Sequence, residues 1–268
     1  MIYLINMNNE FLENYYNKFC EDKRLLSRHG KVEFFVTTNY IEKYLPKLKD
    51  KAILDNGAGT GRYSIYLQEK GYEVTALELV KNNLGILKAK NKSIKAHLGN
   101  ALDLSRFADE SFEMILIFGP MYHLFDLKEK RKVLEESLRV LKKGGYIFIS
   151  YLMNEYAVIR HGIMDNQMMK AIKENKIDGN FHINNSEEDL YDYVRIEDID
   201  NINKGFPVKR LHLVSQDGPT DYIRKYINEM DEDTFNTYLK YVFSICERKE
   251  LLGASSHVLD ILQKSDSK

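Results

Sequence analysis

The stretch Ala52-Ile53-Leu54-Asp55-Asn56-Gly57-Ala58-Gly59-Thr60-Gly61-Arg62 decides the fold. Its apolar start runs into glycines at alternate positions, and Tyr63-Ser64-Ile65-Tyr66-Leu67 follows with apolar residues at helical spacing. That order reads as strand, tight turn, helix. Glycines permit positive φ and let a ligand reach main-chain atoms without meeting a Cβ. The helix N-terminus beyond them offers N–H groups to acceptor atoms or negative charge. The ligand class is a dinucleotide or another nucleoside. A dinucleotide fingerprint, G-x-G-x-x-G, is not completed, because Arg62 stands where its third glycine belongs.

Working outward, the alternating run Glu73-Val74-Thr75-Ala76-Leu77-Glu78-Leu79 reads as a second parallel strand, and Glu78 closes it 17 residues after Gly61. A carboxylate at that strand tip can accept both hydroxyls of a ribose. Residues 83–90 form a short helix, and 94–101 alternate like a third strand. Phe112-Glu113-Met114-Ile115-Leu116-Ile117-Phe118-Gly119 is nearly continuously apolar, as a central parallel strand covered on both faces must be. Ligands bind beyond the carboxyl ends of such strands, so Pro120-Met121-Tyr122-His123 should face the ligand. Asp126 and Glu129 have capping-box spacing, Leu134, Leu138 and Leu141 line a helix face, and Gly144-Gly145 ends that helix before a fifth strand over 146–152.

Later segments are read from periodicity: a helix over 196–202, a sixth strand over 207–214, and a last strand over 257–262. Phe235, Tyr238, Leu239, Val242, Phe243 and Cys246 share one face of a helix that Gly253 ends. Met153, Met164, Met168 and Met169, with Tyr156, Ile159 and Ile163, suggest helices packed over the cleft, or plain core. Phe11, Leu12, Tyr15, Tyr16 and Phe19 mark an amphipathic helix near the start.

In order and spacing, Leu-Asp-x-Gly-x-Gly-x-Gly at 54–61, Glu78, Asn100-Ala101-Leu102, and Leu-Lys-Lys-Gly-Gly at 141–145 resemble the motifs of class I S-adenosylmethionine-dependent methyltransferases. The resemblance is strong over about residues 30–152. It implies an α/β, Rossmann-like seven-stranded sheet, mostly parallel with an antiparallel last strand, carrying N-terminal helices and helical insertions. The organisation that follows is one domain: a helical cap at 1–50, the S-adenosylmethionine-binding core at 51–152, a helical lid at 153–195, and the C-terminal part of the core at 196–268.

The resemblance also implies the contacts. Asp55, Gly57, Ala58, Gly59, Thr60, Gly61 and Arg62 would form the cofactor turn, and Glu78 and Leu79 the ribose site. Asn100, Ala101 and Leu102 would hold the adenine, and Phe118 and Gly119 would complete the floor. The family pattern usually has Asp at position 100, but an amide oxygen still accepts from an amine. Family members often lay an N-terminal segment over the cofactor, which makes Tyr16, Arg28 and His29 candidate acceptor contacts; Arg28-His29 reads equally well as a capped turn between helices. His123 is the candidate base and Tyr122 the candidate for orienting the acceptor, the alternative being that both only shape the wall. Gly119 stands where base- or glutamine-modifying relatives carry Asn or Asp, so their amide mechanism has no support.

The totals narrow the function further. Lys and Arg number 39 against 40 Asp and Glu, which leaves no net basic field for a polyanion and argues against a dedicated nucleic-acid binder. Cys20 and Cys246 offer neither a disulfide framework nor a zinc pair, no histidines have H-E-x-x-H spacing, and no metal is expected. Residues 1–7 are too short for a signal peptide or a membrane span, and a cytoplasmic protein is expected. The expected function is methyl transfer from S-adenosylmethionine to the O, N or S of a small molecule. The alternatives are an RNA or protein methyltransferase, or a nucleotide-binding regulatory module without catalysis.

Overall fold

The computed structural model describes Leu12, Tyr15, Tyr16 and residues 27–265. Phe11, Phe19 and Cys20 lie outside the described residues, while Leu12, Tyr15 and Tyr16 are helical as their spacing suggests. The chain then runs through α1 (Arg28–Tyr44), β1 (Ala52–Asn56), α2 (Arg62–Glu69), β2 (Glu73–Glu78), α3 (Lys81–Lys90), β3 (Lys95–Leu98) and β4 (Phe112–Ile117). A 3-10 turn, Pro120–His123, leads to α4 (Leu127–Val140) and β5 (Leu141–Leu152).

The strands form a seven-stranded sheet in the order β3-β2-β1-β4-β5-β7-β6, where β6 is Val208–Ser215 and β7 is His257–Lys264. β1 pairs in parallel with β2 and β4, β2 with β3, and β4 with β5. β7 inserts antiparallel between β5 and β6. All five parallel strands therefore end at one edge, and the order reverses at β1, the switch point where such sheets open a crevice.

Every residue of β4 is buried, and its alternation divides the core in two. Ile115 and Ile117 join Leu54, Ile147 and the α4 leucines on one face, while Met114 and Leu116 join Ile53, Phe148, Val32, Val36 and Leu67 on the other. α1 begins where the Ser27 hydroxyl accepts the Gly30 N–H, and it buries Val32, Val36, Tyr40, Ile41 and Tyr44. α4 begins where the Asp126 carboxylate accepts the Lys128 N–H.

Three details differ from the reading of the sequence. Gly144-Gly145 does not end α4: the strand begins at Leu141, and Gly144, at φ +75°, sits where the β4–β5 register shifts. The helix carrying Phe235, Glu232–Ile245, stops at Cys246, and a separate short turn, Lys249–Leu252, precedes Gly253. The methionine-rich stretch does not cover the crevice. Met153 and Tyr156 are buried in the core, but Met164, Met169, Ile159 and Ile163 are exposed and none lines the cavity described below. That stretch holds Asn154–Ala157, a π-helical turn at Val158–Met164, and Met168–Lys173.

Candidate functional site

The strand ends open into a cavity of about 490 Å³. Its floor is the glycine turn, and the three glycines do different work. A Cβ on Gly57 (φ +91°) would sit 2.5 Å from Pro120 Cδ, and one on Gly61 (φ +88°) 2.6 Å from Leu87 Cγ. These two permit close packing of the turn against the β4 exit and against α3. Among the described residues, a Cβ on Gly59 (φ +55°) would meet no atom within 4 Å, and Gly59 lines the cavity. Gly59 thus leaves a side-chain-free hollow in the cavity floor.

The turn is fastened to β2. Gly57 and Ala58 donate their N–H groups to the Leu77 carbonyl at 2.8 and 3.0 Å. Glu78 accepts the Gly59 N–H at 2.8 Å through Oε2 and the Val80 N–H at 2.8 Å through Oε1. Burial pushes the Glu78 carboxyl up, and those backbone donors pull it back. The Asn83 side chain also donates to Glu78, so of a carboxylate's roughly four acceptor positions about one remains for a ribose hydroxyl. Asp55 serves a different purpose. It accepts the Ser64 hydroxyl at 2.5 Å, bracing α2 against β1, and burial with the nearby Glu78 charge pushes its carboxyl up to about 6.

Asn100, Ala101 and Leu102 line the wall beyond β3. The Asn100 Oδ1 accepts the Leu102 N–H at 2.9 Å, a side-chain turn that fixes the backbone there. Ala58, Thr60, Leu79, Phe118 and Gly119 also face the cavity. So does Arg62, whose guanidinium lies 4.1 Å over the Phe34 ring and donates to the Gly30 carbonyl at 3.5 Å.

Tyr16 and His123, 107 residues apart in sequence, meet at this cavity: the Tyr16 hydroxyl is 2.9 Å from His123 Nε2. His123 Nδ1 is 2.9 Å from the Leu190 carbonyl, which can only accept, so Nδ1 carries the proton and Nε2 holds the lone pair. Burial pushes the imidazole down to about 4, against a smaller upward pull from the Leu190 bond. Tyr122 is in the same wall, but its hydroxyl donates to the Phe118 carbonyl at 2.7 Å, and its ring packs edge-on to His123. Arg28 and His29 are not brought to the site. The Asn228 side chain accepts the His29 N–H at 3.1 Å, and Arg28 pairs with Glu232 at 3.5 Å, so this is the capped inter-helix turn of the alternative reading.

Residues that the motifs did not announce also contribute. Glu33 of α1 lines the cavity from within the stripe that otherwise buries Val32, Val36 and Tyr40. Its signal was a carboxylate on the apolar face of a helix. Glu33, Asp217 and His257 bring ligand-type atoms within 4.8 Å of one another, a grouping that no local spacing foreshadows.

The core of the chain resembles known proteins. Residues 54–149 match the family model described as a methyltransferase domain. The chain is 27% identical over 150 residues to the glycine/sarcosine N-methyltransferase of Aphanothece halophytica, covering 53% of each. It is 33% identical over 121 residues to the demethylmenaquinone methyltransferase of Paenarthrobacter aurescens, covering 45% of this chain and 46% of that one. The chain thus spans about half the length of these curated relatives. Among solved structures, Haemonchus contortus phosphoethanolamine N-methyltransferase 1, in complex with phosphoethanolamine and S-adenosylhomocysteine, superposes with a TM-score of 0.60 at 16% identity, over 98% of this chain and 49% of that one. A Thermotoga maritima methyltransferase, described as a possible histamine N-methyltransferase, superposes at 0.56 and 18% identity over 99% of this chain and 100% of its own. The matched segment marks residues 54–149 as a methyltransferase domain, and the fold around it is that of solved S-adenosylmethionine-dependent methyltransferases.

Proposed function

We propose that the chain transfers the methyl group of S-adenosylmethionine to a nitrogen, oxygen or sulfur atom of a small molecule, by in-line displacement. The observation that carries this reading is Gly59 facing open space within a turn that Glu78 ties to β2. Gly59, Glu78, Asn100, Ala101, Phe118 and Gly119 are the residues that would hold the cofactor. When bound, the cofactor supplies a methyl group on a positively charged sulfur, a good leaving group.

The chain's own residues have three tasks. The cavity wall excludes water and fixes the acceptor in line, which is worth about 7–11 kcal/mol in favourable cases. Tyr16 and Tyr122 orient the acceptor from one side. His123, kept uncharged at neutral pH by burial, offers its Nε2 lone pair to a proton that leaves an O–H or N–H acceptor through the Tyr16 hydroxyl. The 490 Å³ volume suits a small acceptor. Among the described residues no helix is long and apolar enough to cross a membrane.

A screen for labelled methyl uptake from S-adenosylmethionine into a metabolite panel tests the proposal. Uptake into a small molecule is expected, and Tyr16→Phe should slow it by about 10²-fold or more while S-adenosylhomocysteine binds as before. Cofactor binding without uptake into any small molecule would mark a non-catalytic binder or a macromolecular substrate. Full activity of Tyr16→Phe would remove the proton path.

A further inference from the structure

We infer that the buried ion pair of Lys130 and Asp192 positions His123: it holds the segment whose Leu190 carbonyl fixes the proton on His123 Nδ1, and so keeps the lone pair on Nε2, toward Tyr16. The use of that lone pair rests on the methyltransferase reading of the same cavity. Lys130 lies on the buried face of α4, at the head of the stripe that continues with Val133, Leu134 and Ser137. A lysine in such a stripe needs a partner. Its ammonium is bonded to the Asp192 carboxylate, and the two side chains are only 5% and 13% exposed. Burial pushes the Asp192 carboxyl up, and the Lys130 charge pulls it back.

Residues 184–193 form neither helix nor strand, so bonds to neighbouring elements set their position. The Asp192 N–H donates to the Tyr122 carbonyl at 2.8 Å, and the Val194 N–H to the Leu152 carbonyl at 2.9 Å. The Lys130 bond adds a tie to α4 that is charged at both ends and shielded from water; such a bond is strong, and its loss leaves a buried carboxylate uncompensated. Between Leu190 and Asp192, the Tyr191 ring lies 5.4 Å from the His123 ring and 5.8 Å from the Tyr122 ring, so the segment packs on both residues of the wall. The choice of tautomer falls to the Leu190 carbonyl, 2.9 Å from Nδ1. A carbonyl only accepts, whereas the Tyr16 hydroxyl on the other side of the ring can donate or accept and would follow either tautomer. With the segment displaced, the proton is free to settle on Nε2, and no lone pair then faces Tyr16.

The ring-nitrogen NMR resonances of His123, identified by their loss in His123→Asn, test the inference without turnover. At about pH 8, above the ordinary imidazole range, wild type should show a protonated Nδ1 and an unprotonated Nε2. Lys130→Met should shift the tautomer ratio toward Nε2–H by about tenfold, the strength of one buried hydrogen bond, while changing S-adenosylhomocysteine affinity by less than about twofold. Lys130→Met combined with Asp192→Leu leaves no buried charge, and it carries the same prediction if the single variant does not fold. Arg210→Ala breaks a buried ion pair outside the cavity wall, so it controls for lost stability and should leave the His123 signature unchanged. Three results would each overturn the inference: a wild-type ring protonated on Nε2, a wild-type signature in the folded Lys130 variants, or an equal shift in Arg210→Ala. Failure of the wild-type protein to bind S-adenosylhomocysteine would instead strike the methyltransferase reading, and the ring resonances would still judge the positioning pair.

Discussion

At the scale of the residue, His123 shows how burial sets chemistry. Its imidazole is pushed down to about 4 from an ordinary 6.5, so between these values the unfolded chain binds a proton that the folded chain refuses. The contribution of His123 to stability is full above pH 6.5 and is lost as pH falls towards 4, by about 3 kcal/mol over that window. Asp55 works in the opposite sense. Its carboxyl is raised from 3.8 to about 6, so the folded chain holds the extra proton and this site gains stability as pH falls through 6. The two effects overlap and partly cancel, so the difference between wild type and His123→Asn is the informative curve. Urea unfolding from pH 7 to 4 should show the variant gaining on the wild type by up to about 3 kcal/mol as pH falls; parallel curves would show that His123 is not held neutral.

At the scale of the element, Asp260 in the middle of β7 ties the last strands to the sheet. It is wholly buried and accepts from Arg210 of β6 at 2.7 and 3.1 Å and from Asn203 at 2.6 Å. Removing Arg210 would leave an uncompensated buried carboxylate. Arg210→Ala should therefore cost about 3–5 kcal/mol in denaturant unfolding, whereas Arg210→Ala with Asp260→Leu should recover a large part; a mild single variant would show that β6 contributes little. This pair was not visible in the sequence, although β6 and β7 were. Strands and helices follow from local alternation and helical spacing, and the glycine turn from three adjacent positions. The pairs that make the site, Tyr16 with His123 and Glu33 with His257, form only when the sheet closes and brings distant segments together. Arg28-His29 shows the converse: a polar, glycine-containing cluster looks the same in sequence whether it faces a ligand or caps a helix, and Asn228 decides it.

At the scale of the molecule, the ends of four parallel strands, β1, β2, β3 and β4, open with α1 onto one cavity. Each strand end contributes one component: the glycine turn from β1, Glu78 from β2, Asn100 beyond β3, Phe118 and Tyr122 beyond β4. The antiparallel pair places His257, at the start of β7, 4.0 Å behind the Glu33 carboxylate. The central claim is that this cavity binds an adenosyl sulfur ligand on the side-chain-free face of Gly59. Calorimetric titration with S-adenosylhomocysteine and, separately, with NADH, on wild type, Gly59→Val and Gly61→Ala, tests it most directly. Gly61→Ala should lower stability by about 1–3 kcal/mol through its clash with Leu87. Wild type should bind S-adenosylhomocysteine and not NADH, and Gly59→Val should stay folded and lose that binding. Preferential binding of NADH, or undiminished S-adenosylhomocysteine affinity in Gly59→Val, would contradict it.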